Sequence, residues 1–90
     1  MNTTHVIVEG LVQGVFFRDY TYGQALQLNI SGYVKNLPDR TVEAMLQGEE
    51  KAVESMLARL KLGSPRSQVE HLRVQNIDVE EQFSSFEIRY

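Results

Sequence analysis

The chain has 90 residues, a net charge of −3 from nine basic and twelve acidic side chains, and no cysteine. That length supports one small domain around a single core, and the lack of thiols excludes disulfides, thiolate catalysis and cysteine-based zinc sites. No basic stripe marks a nucleic-acid binder, no run approaches the ~20 apolar residues that span a bilayer, and no basic-then-apolar leader opens the sequence; a cytoplasmic chain bound to neither nucleic acid nor membrane is expected.

Apolar residues make up 42% of the chain and are spread along it, which argues for a packed globule. Thr4 to Glu9 alternates as a first strand, with Val6 and Val8 on one face and His5, Ile7 and Glu9 on the other. Apolar residues on both faces suit a central strand. Gly10-Leu11-Val12-Gln13-Gly14-Val15-Phe16-Phe17-Arg18 then connects this strand to a helix. A glycine-bearing turn at a helix N-terminus can aim several N–H groups at one anion. Arg18, in the first helical turn, can add a planar, permanently charged fork. Spacing alone also suits a mere tight connection. The stretch matches neither the P-loop nor the dinucleotide glycine pattern, since no Lys-Ser or Lys-Thr pair follows Gly14.

Phe17, Thr21, Ala25 and Leu28 share one face of the first helix, which Asn29 ends. Gly23 costs roughly 1 kcal/mol there relative to alanine, so a close approach of the sheet is expected beside it. Ile30 to Asn36 forms a second strand, Leu37-Pro38-Asp39-Arg40 a turn, and Thr41 to Gln47 the return strand of a hairpin. Gly48-Glu49-Glu50 opens a second helix with acids at its positive end. Its buried face is Val53, Met56, Leu57 and Leu60, and Gly63 and Pro65 stop it. Gln68 to Val79 reads as a longer strand. Its apolar phase shifts between Val74 and Ile77, so a bulge is expected near Gln75-Asn76. After the polar turn Glu80-Glu81-Gln82, Phe86, Ile88 and Tyr90 alternate in a short last strand. The order β-α-β-β-α-β plus a terminal strand predicts an α+β, ferredoxin-like sandwich with two helices over one face of an antiparallel sheet. Many unrelated activities share that fold.

Val12-Gln13-Gly14-Val15-Phe16-Phe17-Arg18 resembles the first signature of the acylphosphatase family, and Gly32-Tyr33-Val34-Lys35-Asn36 resembles the second. Val42-Glu43-Ala44 with Gln47-Gly48, Gly63-Ser64-Pro65 and the closing Phe86-Glu87-Ile88-Arg89-Tyr90 follow in the family's order. The resemblance covers essentially the whole chain, residues 1–90, as a single domain. It implies metal-independent hydrolysis of small acyl phosphates to carboxylate and inorganic phosphate, by a monomer without cofactor. Phosphate would be held by the backbone of Gln13, Gly14, Val15, Phe16, Phe17 and Arg18 and by the Arg18 guanidinium. Gly14 would let the backbone approach closely. Asn36 would orient the attacking water; an amide has no protonation change with which to act as a base. Two departures touch neither signature: Arg40 stands where many members have glycine, and Gly23 interrupts the first helix.

The remaining candidates carry less. His5 and His71 lie far apart in strands and are not expected to act as ligands or bases. Asp19 suits the helix dipole, Asp39 the turn and Glu43 a sheet face. No Asp-x-Asp or His-x-His cluster suggests a metal, and Ser64, Ser67, Ser84 and Ser85 have no histidine at a suggestive spacing. A non-catalytic anion-binding or protein-interaction module on the same scaffold stays open. A ferredoxin-like RNA-binding domain would need exposed aromatics on two strands, and Val6, Val8, Val42 and Ala44 do not provide them.

Overall fold

The computed structural model describes residues 2–90. In chain order its elements are β1 (Asn2–Leu11), α1 (Phe17–Gln27), β2 (Ser31–Asn36), β3 (Val42–Gln47), α2 (Glu50–Leu62), β4 (Gln68–Asp78) and β5 (Phe86–Arg89). They build one five-stranded sheet in the order β4-β1-β3-β2-β5. The predicted α+β arrangement is present, with β1 inside the sheet as its two apolar faces required. β5 adds one feature: it runs parallel to β2, whereas the β1–β3, β1–β4 and β2–β3 pairs are antiparallel.

Register explains which strand residues meet the helices. Val6 pairs with Ala44 and Val8 with Val42, while Val34 pairs with Ala44 on the other side of β3. Paired residues share a sheet face, and all five are fully buried, as are Ala25 of α1 and Met56 and Leu60 of α2. The helices are tied to each other by polar bonds: Tyr20 Oη donates to the carbonyl of Arg59 at 2.8 Å, and Arg59 Nη1 to Gln24 Oε1 at 2.7 Å. Burial raises the pKa of the Tyr20 phenol, with the Arg59 charge opposing, and keeps it a donor there.

The core placement also corrects one exclusion. Val6, Val8, Val42 and Ala44 face the helices, so they could never have formed a nucleic-acid platform. His5, Ile7, Glu43, Met45, Tyr33 and Lys35 occupy the other face by register, and only Tyr33 among them is aromatic.

Two local expectations change. The bulge does not fall at Gln75-Asn76, which pair in order with His5 and Thr4. It falls where Glu9 pairs with His71 but Gly10 with Val69, leaving Glu70 as the extra residue. That extra residue lets Val69 and Leu72, three apart, both pack against the core. Val74 misled the phase because β4 is an edge strand and leaves that side chain 47% exposed. Secondly, Gly23 does not mark a close approach, since a Cβ built there meets nothing within 4 Å. Gly14 holds a φ of +74°, a conformation that favours glycine.

The turn and cap expectations hold. Asn29 takes φ 56° just beyond α1, and Ile30 N reaches back to Ala25 O at 2.9 Å. Gly63 follows α2 with φ 79°. In the β2–β3 connection Arg40 does hold a glycine-favoured conformation, with φ 74° and its amide bonded to Leu37 O at 3.2 Å. Asp39 Oδ1 secures the turn by accepting from both the amide and the hydroxyl of Thr41. These bonds hold the Asp39 carboxyl below its ordinary pKa.

Candidate functional site

Residues 12–16 leave β1 and enter α1 through two left-handed turns of the backbone, Gly14 at φ 74° and Phe16 at φ 59°, ψ 26°. Alternation of this kind curls a chain so that its N–H groups converge. The first main-chain bond of α1 runs from Tyr20 N to Phe16 O at 3.0 Å. The amides of Phe17, Arg18 and Asp19 therefore precede the helical ladder and crown its positive end. No side chain caps that end. Phe17 is 1% exposed and anchors the turn in the core.

A cavity of about 340 Å³ opens at this helix end, lined by Val12, Gly14, Phe16, Phe17, Arg18, Asp19, Asn36, Ile88 and Tyr90. It brings together the two residues that the sequence placed 18 positions apart in separate signatures, Arg18 and Asn36. Asn36 reaches it because it closes β2 on the helix-facing side, paired with buried Val42. Its Oδ1 is buried and takes no hydrogen bond from any described group. Such an atom keeps an acceptor free for a molecule in the cavity.

Arg18 is held from two sides. Its Nη1 donates to the carbonyl of Arg89 at 3.2 Å, and its guanidinium carbon lies 4.6 Å from the centre of the Tyr90 ring. Both contacts come from the end of the parallel strand β5, so that strand positions the cation. Gln13 and Val15, also expected at the anion, do not line this cavity through their side chains. The Gln13 amide instead donates to Leu37 O at 2.9 Å and to Thr41 O at 2.8 Å, across the base of the hairpin that carries Asn36. Val15 lines a neighbouring cavity of about 400 Å³ with Phe16, Asp19, Tyr20, Ser64, Pro65 and Arg66.

Sequence reasoning missed the clamp by Gln13 and the support of Arg18 by Arg89 and Tyr90. The first had no spacing signal. The second lay in a segment quoted for its resemblance, with no role attached. His5 is elsewhere: its Nε2 lies 2.9 Å from Glu43 Oε2, on the sheet face away from the helices. His71 is exposed on the edge strand. Among the described residues, no three His, Asp or Glu side chains group as a metal site.

A family model for acylphosphatase matches residues 4–88. An acylphosphatase of Syntrophotalea carbinolica is 47% identical over 94% of this chain and 92% of its own length. One from Thiobacillus denitrificans is 43% identical over 99% of this chain and 98% of its own. Among solved structures, the crystal structure of acylphosphatase from Bacillus subtilis superposes with a TM-score of 0.95 at 37% identity, over the full length of both chains.

Proposed function

The chain belongs to the acylphosphatase family and is a hydrolase of that kind, and on that premise we propose how its own residues carry the hydrolysis of small acyl phosphates. The phosphoryl group sits at the N-terminal end of α1, on the backbone amides from Gln13 to Arg18. Arg18 neutralises its oxygens and the charge that builds as the bond to the acyl oxygen breaks. Asn36 Oδ1 accepts a hydrogen bond from the attacking water and aims its lone pair at phosphorus. Water oxygen bonds to phosphorus, the carboxylate leaves with the electron pair of the broken P–O bond, and the water proton passes to a phosphate or leaving carboxylate oxygen. No side-chain base and no metal enter the scheme, because phosphoryl transfer needs mainly positioning and charge.

The observation that carries this reading is the single cavity shared by Arg18, the left-handed Gly14–Phe16 turn and the unpartnered Asn36 Oδ1. The same reading has residues 1–90 acting as one monomeric, cytoplasmic domain without nucleic-acid or membrane partners. Among the described residues, no helix is long and apolar enough to cross a membrane.

The test is hydrolysis of benzoyl phosphate in excess EDTA, followed by ultraviolet absorbance, with p-nitrophenyl phosphate as a monoester control. Loss of the acyl phosphate alone, inhibited by phosphate, supports the scheme. Saturable phosphate binding without turnover would overturn it in favour of a binding module.

A further inference from the structure

The second cavity is unused by the chemistry above, yet it is built onto the same turn. Its walls share Phe16 and Asp19 with the cavity that holds Arg18 and Asn36. The rest of its lining is Val15, Tyr20, Ser64, Pro65 and Arg66, and the cavity surface is mostly apolar. Ser64 Oγ donates to Val15 O at 3.2 Å, so the loop after α2 is fastened to the proposed phosphate cradle. Both walls of the second cavity are therefore fixed relative to the first.

Phe16 stands between the two. It is the N-cap residue of α1, has no side-chain capping bond, holds a left-handed backbone and leaves its side chain 72% exposed. Each of these is unfavourable for phenylalanine: caps favour short polar side chains, L residues avoid positive φ, and an exposed ring gains nothing from burial. Strain of this sort accumulates where a residue serves a ligand. A phenyl ring at the boundary of two cavities offers a flat face for an apolar group that continues from one into the other.

We propose that the second cavity is the acyl subsite, in which an aryl or larger apolar acyl group packs on Phe16 and toward Val15, Tyr20 and Pro65. This rests on the hydrolase reading above, and it names the substrate class: aromatic and bulky aliphatic acyl phosphates in preference to acetyl phosphate. At about 400 Å³ the cavity is of the size that takes a small organic group. The phosphoryl end supplies the charge-based recognition common to all acyl phosphates, and the second cavity supplies the discrimination among them.

The experiment compares phenacylphosphonate with acetonylphosphonate, analogues in which a methylene replaces the bridging oxygen, on the wild-type chain. Amide chemical shifts and affinities are read by ¹H–¹⁵N NMR titration. Both ligands should shift Gly14 to Arg18, and only phenacylphosphonate should also shift Tyr20, Ser64 and Arg66, binding about tenfold more tightly. Equal affinities, with residues 64–66 silent while the cradle responds, would overturn the subsite and leave the hydrolase reading standing. Silence of the cradle toward both ligands would overturn both together. In a kinetic counterpart, Pro65→Glu sets a carboxylate in the apolar wall and should lower the kcat/KM ratio of benzoyl to acetyl phosphate about tenfold. An unchanged ratio in an active variant would also sink the subsite.

Discussion

Gln13 Nε2 donates to the carbonyl of Thr41 at 2.8 Å and, with its second hydrogen, to that of Leu37 at 2.9 Å. One side chain thus joins the turn that forms the proposed cradle to both ends of the loop that follows Asn36. The two halves of the site come from different elements, and no other described side chain of residues 12–16 bonds to that hairpin. In the proposed scheme Gln13 is accordingly a positioning residue: it acts on the hairpin that carries Asn36, with both of its amide hydrogens committed there.

Gln13→Leu should lower kcat by about 10- to 100-fold, because small misplacements of a reacting group are costly. It should also reduce stability by ~1–3 kcal/mol by removing two hydrogen bonds, although the Leu37 and Thr41 carbonyls each keep a backbone donor, Arg40 N and Leu37 N. The inhibition constant for phosphate should change far less than kcat, since Arg18 and the helix end stay in place. Steady-state kinetics and urea unfolding of the same variant check this. A loss confined to stability, with kcat intact, would reduce Gln13 to a structural tie.

Arg18→Gln should lose at least ~10²–10³ in turnover, the usual cost of one positioned donor, and weaken phosphate as a competitive inhibitor. Arg18→Lys should not restore it. A lysine could meet the Arg89 carbonyl but cannot present a planar fork while lying against the Tyr90 ring. A glutamine variant with half of wild-type activity would remove Arg18 from the mechanism.

Asn36→Ala separates chemistry from binding. It should depress kcat strongly, leave phosphate inhibition nearly unchanged, and cost little stability, because its Oδ1 receives no bond from a described group. Equal losses in kcat and phosphate affinity would mean that Asn36 shapes the cradle and does not aim the water.

The sequence showed these residues well where function rests on local pattern. The alternation of Val6, Val8, Val42 and Ala44, the stops at Asn29 and Gly63, and the hairpin at Leu37–Arg40 are short-range signals, and each appears as expected. Tertiary relations were less visible. Glu70 bulges because Val69 and Leu72 both reach the core, a fact set by the partner strand β1 and not by β4 itself. β5 runs parallel to β2 because the segment after β4 must return across the sheet, which periodicity cannot report. Gln13 and Tyr90 likewise owe their roles to what lies opposite them in space.

Two turn and helix positions carry avoidable cost. Arg40 sits at φ 74° and Gly23 within α1 has open space beside it. Arg40→Gly relieves the left-handed strain and Gly23→Ala removes glycine's helical penalty; each should add ~0.5–1 kcal/mol. Calorimetry should show Tm rising by a few degrees per substitution in a chain of this size. Gly32→Ala is the opposite control: at φ 137° its Cβ would run into the Met45 carbonyl, and the variant should lose much of its stability. A stabilised Gly32→Ala would contradict the register of β2 on β3.

The sheet face away from the site contributes to the pH dependence of stability. Glu43 Oε1 accepts from Tyr33 Oη at 3.0 Å, and Glu43 Oε2 lies 2.9 Å from His5 Nε2. Burial alone would raise the Glu43 pKa, but the bonds from His5 and Tyr33 outweigh it and hold the carboxyl below its ordinary 4.5. A depressed acid contributes stability above its unfolded pKa and loses it as pH falls through the lower folded value. Tyr33 has the reverse sense: burial first, then the Glu43 hydrogen bond and charge, push its phenol from 10.0 up to about 12. Its contribution is complete below pH 10 and disappears as pH rises through about 12. Urea unfolding between pH 3 and 6 should therefore show a shallower acid loss for Glu43→Gln than for wild type. Absorbance titration of the phenols should lose its component near 12 in Tyr33→Phe. That variant keeps the ring on which Arg89 stacks at 4.1 Å, so the Arg89 carbonyl stays on Arg18 and benzoyl phosphate turnover at neutral pH persists. A wild-type acid limb identical to that of Glu43→Gln would mean that the His5–Glu43–Tyr33 chain is not formed in solution.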